Sequence, residues 1–296
     1  MLRIITDSAS DLPKDYIEKH KLHVIPTPVV IDEVDYLDGK TIQTEEFYNI
    51  LDDIKRDVKT YHINPAMFTD AFLPYAKAGD SVIYLCFSTG IAGTFNAANI
   101  AKETLLEEYP EFDLTIIDSK CASIGFGLVV SKLVTMLEHG ASKEELIEAA
   151  DYYITHVHHV FTVHTLAYLI KGGRLTKFKG TLAETLDMKP ILIVDGNGAL
   201  AVIKTVRGRK KSLKYLVEYA KENSSVMEGA TVALCHGEDK ENREFMLSVI
   251  KQEIHPGEVL VGTVGCAIGA HTGRGLIGFC FFDADDGKYQ RYFESV

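Results

Sequence analysis

Ser81-Val82-Ile83-Tyr84-Leu85-Cys86-Phe87-Ser88-Thr89-Gly90-Ile91-Ala92-Gly93-Thr94 is the stretch that decides how this 296-residue chain folds. Ser81 to Phe87 reads as a short, continuous apolar run, which suits a buried strand of a parallel sheet. Ser88-Thr89-Gly90 stops it, and Gly93 to Glu108 then carries helical spacing. Working outward, the same unit recurs. Leu2 to Thr6 is a β-rich run ending in Asp7-Ser8, and Ser10, Asp11 and Pro13 open a helix reaching about His20. Leu114 to Ile117 ends in Asp118-Ser119 and is followed by helices over roughly Gly125 to Glu138 and Lys143 to Ile154. Helical spacing also runs over Glu45 to Lys55 and over Pro65 to Lys77, the second with Pro in its opening turn. Val24 to Ile31 is strand-like but contains Pro26 and Pro28, which predicts an edge or an irregular extension. Repeated βα units predict an α/β fold: a parallel sheet with helices on both faces. Such sheets bind ligands at the carboxyl ends of their strands, where Asp7-Ser8, Ser88-Thr89 and Asp118-Ser119 would meet.

The second half reads differently. Val160 to Val163 is strand-like, Leu166 to Lys171 helical, and Gly172-Gly173 ends that helix. Asp195-Gly196-Asn197-Gly198 between Pro190–Val194 and Leu200–Thr205 is a hairpin signal. Lys210 to Asn223 and Asn242 to Lys251 read as helices, Thr231 to Cys235 and Leu276 to Phe282 as strands. The expected organisation is an N-terminal α/β domain over residues 1–158 and a C-terminal α+β domain over residues 159–296, with a ligand site at their interface.

Charge narrows the function. Lys and Arg total 31 against 42 Asp and Glu, a net charge of −11. An acidic chain is a poor match for nucleic acid or for an anionic lipid surface, both of which need clustered Lys and Arg. The longest apolar stretch, Ala122 to Leu137, is broken by Lys132 and falls short of the ~20 residues of a membrane helix. Met1 to Asp7 reaches a carboxylate too early for a signal peptide. Five scattered cysteines (Cys86, Cys121, Cys235, Cys266, Cys280) form no C-x-x-C pair, the pattern of buried, reduced thiols. The expected location is the cytoplasm.

Several segments could carry chemistry. Ser88 to Thr94 joins hydroxyls and glycines to a helix start, where backbone N–H groups and the helix dipole favour an anion; a merely capped helix is the competing reading. It is neither a P-loop nor a G-x-G-x-x-G motif. Gly269-Ala270-His271-Thr272-Gly273-Arg274-Gly275 sets an imidazole among glycines, either to hold a carboxylate or as an incidental turn. Lys171-Gly172-Gly173-Arg174, with Lys204, Arg207 and Arg209 later, either offers guanidinium groups to a phosphate or carboxylate or ends a helix. His156, His158, His159 and His164 lack partnering ligands nearby, and packing is the favoured reading over a metal. Asp7 and Asp118 could bind Mg²⁺ or act as acid and base, with turn and cap roles favoured. No G-x-S-x-G elbow occurs.

Taken in order, the segments resemble the DegV family of bacterial fatty-acid-binding proteins. The matching pieces are Ile5-Thr6-Asp7-Ser8 with Asp11-Leu12-Pro13, Ser88 to Thr94 with Asn96-Ala97-Ala98, and Asp118-Ser119 with Ser123, Gly125 and Gly127. Leu169, Lys171-Gly172-Gly173-Arg174, Lys189-Pro190-Ile191-Leu192, Lys204, Arg207, His236-Gly237 and Ala270-His271-Thr272-Gly273 complete the set. The resemblance implies a two-domain fold that buries a long-chain fatty acid in an apolar tunnel. It also implies a binding subunit, not itself an enzyme, that presents the carboxylate to an ATP-dependent fatty acid kinase subunit for acyl-phosphate formation, with no metal or other cofactor. Carried over, Thr60, Ser88, Thr89, Gly90, Gly93, Thr94, His271 and Thr272 would surround the carboxylate, and Arg174 and Arg207 would face the partner or the phosphoryl group. The chain departs from the family pattern at Thr60-Tyr61-His62-Ile63-Asn64-Pro65, at Ala92, which lacks a hydroxyl, and at Arg274, which adds a charge. Two other readings remain: a dihydroxyacetone-kinase-like subunit holding a small carbonyl compound on His271, and a metal-assisted phosphotransferase built on Asp7 and Asp118.

Overall fold

The computed structural model describes residues 1–53, 55–175 and 187–294. Its first half runs β1 (Leu2–Asp7), α1 (Lys14–Lys19), β2 (His23–Ile25), β3 (Pro28–Ile31), β4 (Val34–Leu37), α2 (Thr44–Leu51), β5 (Val58–Thr60), α3 (Pro65–Ala78), β6 (Ser81–Cys86), α4 (Thr94–Glu108), β7 (Leu114–Asp118), α5 (Ser123–Glu138) and α6 (Lys143–His156). The second half continues with β8 (Val157–Thr162), α7 (Ala167–Lys171), β9 (Met188–Val194), β10 (Leu200–Arg207), α8 (Arg209–Asn223), β11 (Thr231–His236), α9 (Lys240–Glu253), β12 (Glu258–Thr263), α10 (Cys266–Thr272) and β13 (Ile277–Phe282).

Strands β2-β1-β6-β7 form the parallel sheet, so the ends of β1, β6 and β7 do share one edge. Strand alternation sorts its side chains. Val82, Tyr84 and Cys86 face Phe68 and Phe72 of α3 and Ala97, Ala98 and Ala101 of α4. Ile83 and Leu85 face the other way, onto the core that contains α5. Helices therefore cover both faces, as the βα repeat predicts.

The second sheet has the order β10-β9-β8-β13-β11-β12 and is antiparallel except between β11 and β12. One face carries α8 and α9; the other meets α5, which packs on β8, β11, β12 and β13. Helix α5 is apolar nearly all round, with Phe126, Leu128, Val129, Val130 and Leu133 fully buried, because it lies between two sheets. Each such side chain contributes roughly 1.5–3 kcal/mol of burial, so a charge at Val129 would unseat both layers.

Two features differ from the sequence reading. Val24 to Ile31 is two strands: β2 ends the parallel sheet, while β3 starts at Pro28 and centres a separate antiparallel sheet β4-β3-β5. The segment containing Gly269 is no turn but the helix α10, which continues to Thr272. Its start is held from outside: Asp38 accepts from Cys266 N–H at 3.0 Å and Ala267 N–H at 3.2 Å, and Asp11 accepts from Gly265 N–H at 2.8 Å. A cap supplied from more than two hundred residues away leaves no local trace.

Buried acids recur at this edge. Asp7 is 1% exposed and accepts from Ala9 N–H, Phe87 N–H and the Tyr84 hydroxyl. Desolvation nevertheless outweighs these donors and pushes its pKa up to about 6 from 3.8. The native state then binds more protons than the unfolded state between those values, so Asp7 makes stability fall as pH rises from about 4 to 6, by roughly 3 kcal/mol at most. Asp7→Asn should flatten that part of the stability profile in denaturant titrations at successive pH values. An unchanged slope in the variant would refute the assignment.

Candidate functional site

Between the carboxyl edge of the parallel sheet and the inner face of the six-stranded sheet lies a cavity. Each wall comes from an element whose sequence explains its chemistry. Phe87, Ile91 and Ala92 follow β6, Ala122 and Ser123 open α5, and Phe161 projects from β8. Leu169 comes from α7, Val194 and Leu200 flank the β9–β10 turn, and Leu276 precedes β13. Most of this lining is hydrocarbon, as expected of a site for an apolar ligand.

Polar groups gather where β5, α4, α10 and the turn after α7 meet. Thr60 Oγ1, at the end of β5, lies 2.6 Å from His271 Nε2 of α10. Thr94, Thr272 and Arg174 line the same cavity. The His271 ring is seated by Gly172: a Cβ there would fall 2.0 Å from His271 Nδ1. Burial, and secondarily the charge of Arg174, lower the His271 pKa to about 4. The imidazole is therefore neutral at pH 7. Arg174 donates to Gly172 O at 2.6 Å, and desolvation lowers its pKa from the ordinary value. No side chain caps α4 at Gly93, so the first-turn N–H groups of a 15-residue helix are open to an anion.

The remaining expected residues lie elsewhere. Ser88 donates to Gly198 O at 2.7 Å and receives Gly90 N–H, which ties the β6–α4 loop to the β9–β10 turn. Neither Gly90 nor Gly198 has space for a Cβ at this junction: one would meet Gly198 O at 2.5 Å, the other Ser88 Oγ at 2.1 Å. Thr89 bonds Asp118 through both N–H and hydroxyl. Thr89, Gly90 and Gly93 instead border an outer cleft that they share with Arg174. Arg207 is exposed at the end of β10. Arg274 pairs with Asp52 at 2.8 Å and also donates to Asn49 and to Glu238 O, which anchors it outside the cavity.

Asp7 and Asp118 have structural partners, Asp118 accepting from Thr89 and Lys120 N–H. His156 and His158 both bond Asp283, at 2.7 and 2.8 Å. Among the described residues no group of three His, Cys, Asp or Glu side chains is arranged to hold a metal ion. Also among the described residues, no helix is long and apolar enough to cross a membrane. Much of the lining was not singled out as a site by the sequence reading: His159 was weighed only as a packing histidine and Phe161 not at all, and the period-two alternation along β8 was the available signal.

Known proteins share this sequence pattern and fold. A family model described as "Uncharacterised protein, DegV family" matches residues 1–284. A DegV domain-containing protein of Clostridium perfringens is 32% identical over 280 residues, which is 94% of this chain and 96% of the relative. The solved structure of a fat acid (stearic acid)-binding protein from Eubacterium ventriosum is 30% identical, with a TM-score of 0.84 over 98% of this chain and 100% of that one. DegV of Bacillus subtilis, a fatty acid binding protein, is 26% identical with a TM-score of 0.83, covering 96% of this chain and 99% of its own. Whole-length similarity in sequence and in fold therefore agrees with the motif order, and the chain belongs to the DegV family.

Proposed function

We propose that this protein binds one long-chain fatty acid, with its acyl chain in the apolar cavity and its carboxylate at Thr60, His271 and Arg174. The observation that carries this reading is a hydrocarbon-lined cavity bordered by a hydroxyl–imidazole pair and a half-buried guanidinium. Burying a methylene is worth ~0.8 kcal/mol, so a 16-carbon chain supplies on the order of 10 kcal/mol before ordering costs. Its carboxylate needs partners at the end of that path. The neutral His271 can donate from Nε2 to Thr60, whose hydroxyl then donates to the carboxylate, while Arg174 supplies charge. The open first turn of α4 adds backbone donors. Stearic acid in the Eubacterium ventriosum protein supports the ligand class.

The chain acts as a binding subunit rather than an enzyme, in the cytoplasm, where its buried free thiols stay reduced. Arg174 borders both the cavity and the outer cleft. This supports presentation of the carboxylate to a kinase subunit: a carboxylate oxygen attacks the γ-phosphorus of ATP held by the partner, and ADP leaves. A three-carbon carbonyl compound on His271 fits less well, because Nε2 is engaged by Thr60 and most of the surrounding lining is apolar.

Native mass spectrometry of the purified protein should show a co-purifying C14–C18 acid. Thr60→Ala with His271→Ala should lower fatty-acid affinity about tenfold or more in a folded protein; full retention would overturn the carboxylate site. Arg174→Ala should lower fatty-acid affinity several-fold and, per bound acid, cut acyl-phosphate formation by the partner kinase about tenfold. Loss of lipid with unaltered transfer per bound acid would assign Arg174 to retention alone. Gly172→Ala should drive the His271 ring off Thr60 and raise its pKa from about 4 toward 6.5, read from the imidazole Hε1 titration by NMR. A value still near 4 would show that Gly172 does not seat the ring.

A further inference from the structure

The cavity wall holds a second polar group that the carboxylate site does not use. His159, on β8, stands in the wall formed by the six-stranded sheet, with Cys235 and Cys280 from neighbouring strands. Its side chain is only 6% exposed, yet it lines the cavity. Space for the ring is made by Gly125 on α5, where a Cβ would lie 2.2 Å from His159 Nε2 and 3.0 Å from Cys280 Sγ. Any larger residue at 125 would expel the imidazole.

The ring's protonation follows from its partners. Nε2 receives Ala122 N–H at 3.4 Å, which makes it the acceptor and leaves the proton on Nδ1. Burial and the neighbouring His158 push the pKa down to about 3, so the ring is neutral and presents one N–H. Among the described residues none accepts from Nδ1. In a cavity lined mostly by hydrocarbon such a donor finds few acceptors, a deficit that an oxygen atom on the ligand would remove.

We propose that His159 is a specificity-determining residue, and that this protein selects long-chain acids carrying a hydroxyl group along the acyl chain, whose oxygen accepts the His159 N–H. The inference rests on the fatty-acid reading and deepens it. The neighbouring thiols tolerate such a hydroxyl, since sulfur is a weak donor and acceptor.

Calorimetric titration of delipidated protein with octadecanoic acid and with hydroxyoctadecanoic acids, the hydroxyl moved along the chain, tests the proposal. At least one positional isomer should bind about tenfold more tightly than octadecanoic acid. His159→Leu should reduce that preference to less than twofold while octadecanoic acid binds at least as well as before. His159→Gln, which keeps a donor, should retain part of it. Parent protein that binds octadecanoic acid and favours no isomer overturns this inference alone, and so does a preference that survives in His159→Leu. If His159→Leu does not fold, the parent's isomer series and His159→Gln decide. Failure to bind any of these acids overturns the fatty-acid reading and this inference with it.

Discussion

The arrangement depends on two carboxylates that reach across the molecule to hold one short helix. Asp38 and Asp11 are buried, and desolvation raises both pKa values. What keeps them in place is the backbone of α10: its leading N–H groups point at Asp38, with Gly265 N–H on Asp11. A seven-residue helix containing Gly269 has little stability of its own. Fixing its start from outside offsets that weakness and sets its rotation. Rotation matters because His271 must reach Thr60 on β5, which in turn pairs with β3. The same residues therefore join the N-terminal strands to the C-terminal helix and position the polar end of the cavity.

The cavity itself is a consequence of layering. Helix α5 fills the space between the two sheets along its apolar length, but it begins only at Ser123. Beyond that end the sheets are bridged by loops, the β6–α4 turn and the β9–β10 hairpin, clasped through Ser88 and Gly198. Loops cannot fill a core as densely as a helix does, so apolar side chains from both sheets face space rather than one another. Gly125 and Gly278 let wall side chains pack closely there: a Cβ at Gly125 would fall 2.2 Å from His159 Nε2, and one at Gly278 2.7 Å from Cys235 Sγ.

Much of this was legible in the chain, and the parts that were not share a cause. The run from Ser81 to Phe87 and its two companions announce the parallel sheet because strand burial is written locally. Thr60 and His271 were named through resemblance, and they meet. Ser88 was expected to face an anion, yet its hydroxyl serves Gly198, 110 residues away. Arg274 was expected to add charge near the ligand, yet Asp52 holds it outside, 222 residues distant in sequence. Helix α10 was hidden by the glycines in and beside it, of which Gly269 permits the close approach of Tyr48: a Cβ there would meet the Tyr48 hydroxyl at 2.7 Å. Local pattern reports what a segment can be; these assignments needed the identity of a remote neighbour.

The basic residues show the same point in electrostatic form. Against a net charge of −11, each Arg might be assigned equal value for an acidic ligand, but surroundings make them unequal. Arg209 has Asp239 and Arg274 has Asp52, so their fields are largely balanced. Arg207 stands in solvent, where water weakens attraction at 4 Å to about 1 kcal/mol. Arg174 is half-buried beside a neutral imidazole, with no carboxylate against it among the described residues. At the effective dielectric of such a position the same attraction is about fourfold stronger. A carboxylate entering along the apolar cavity would meet one unbalanced cation there, and that imbalance, rather than the number of basic residues, is what supports reading an acidic protein as the binder of an acidic lipid.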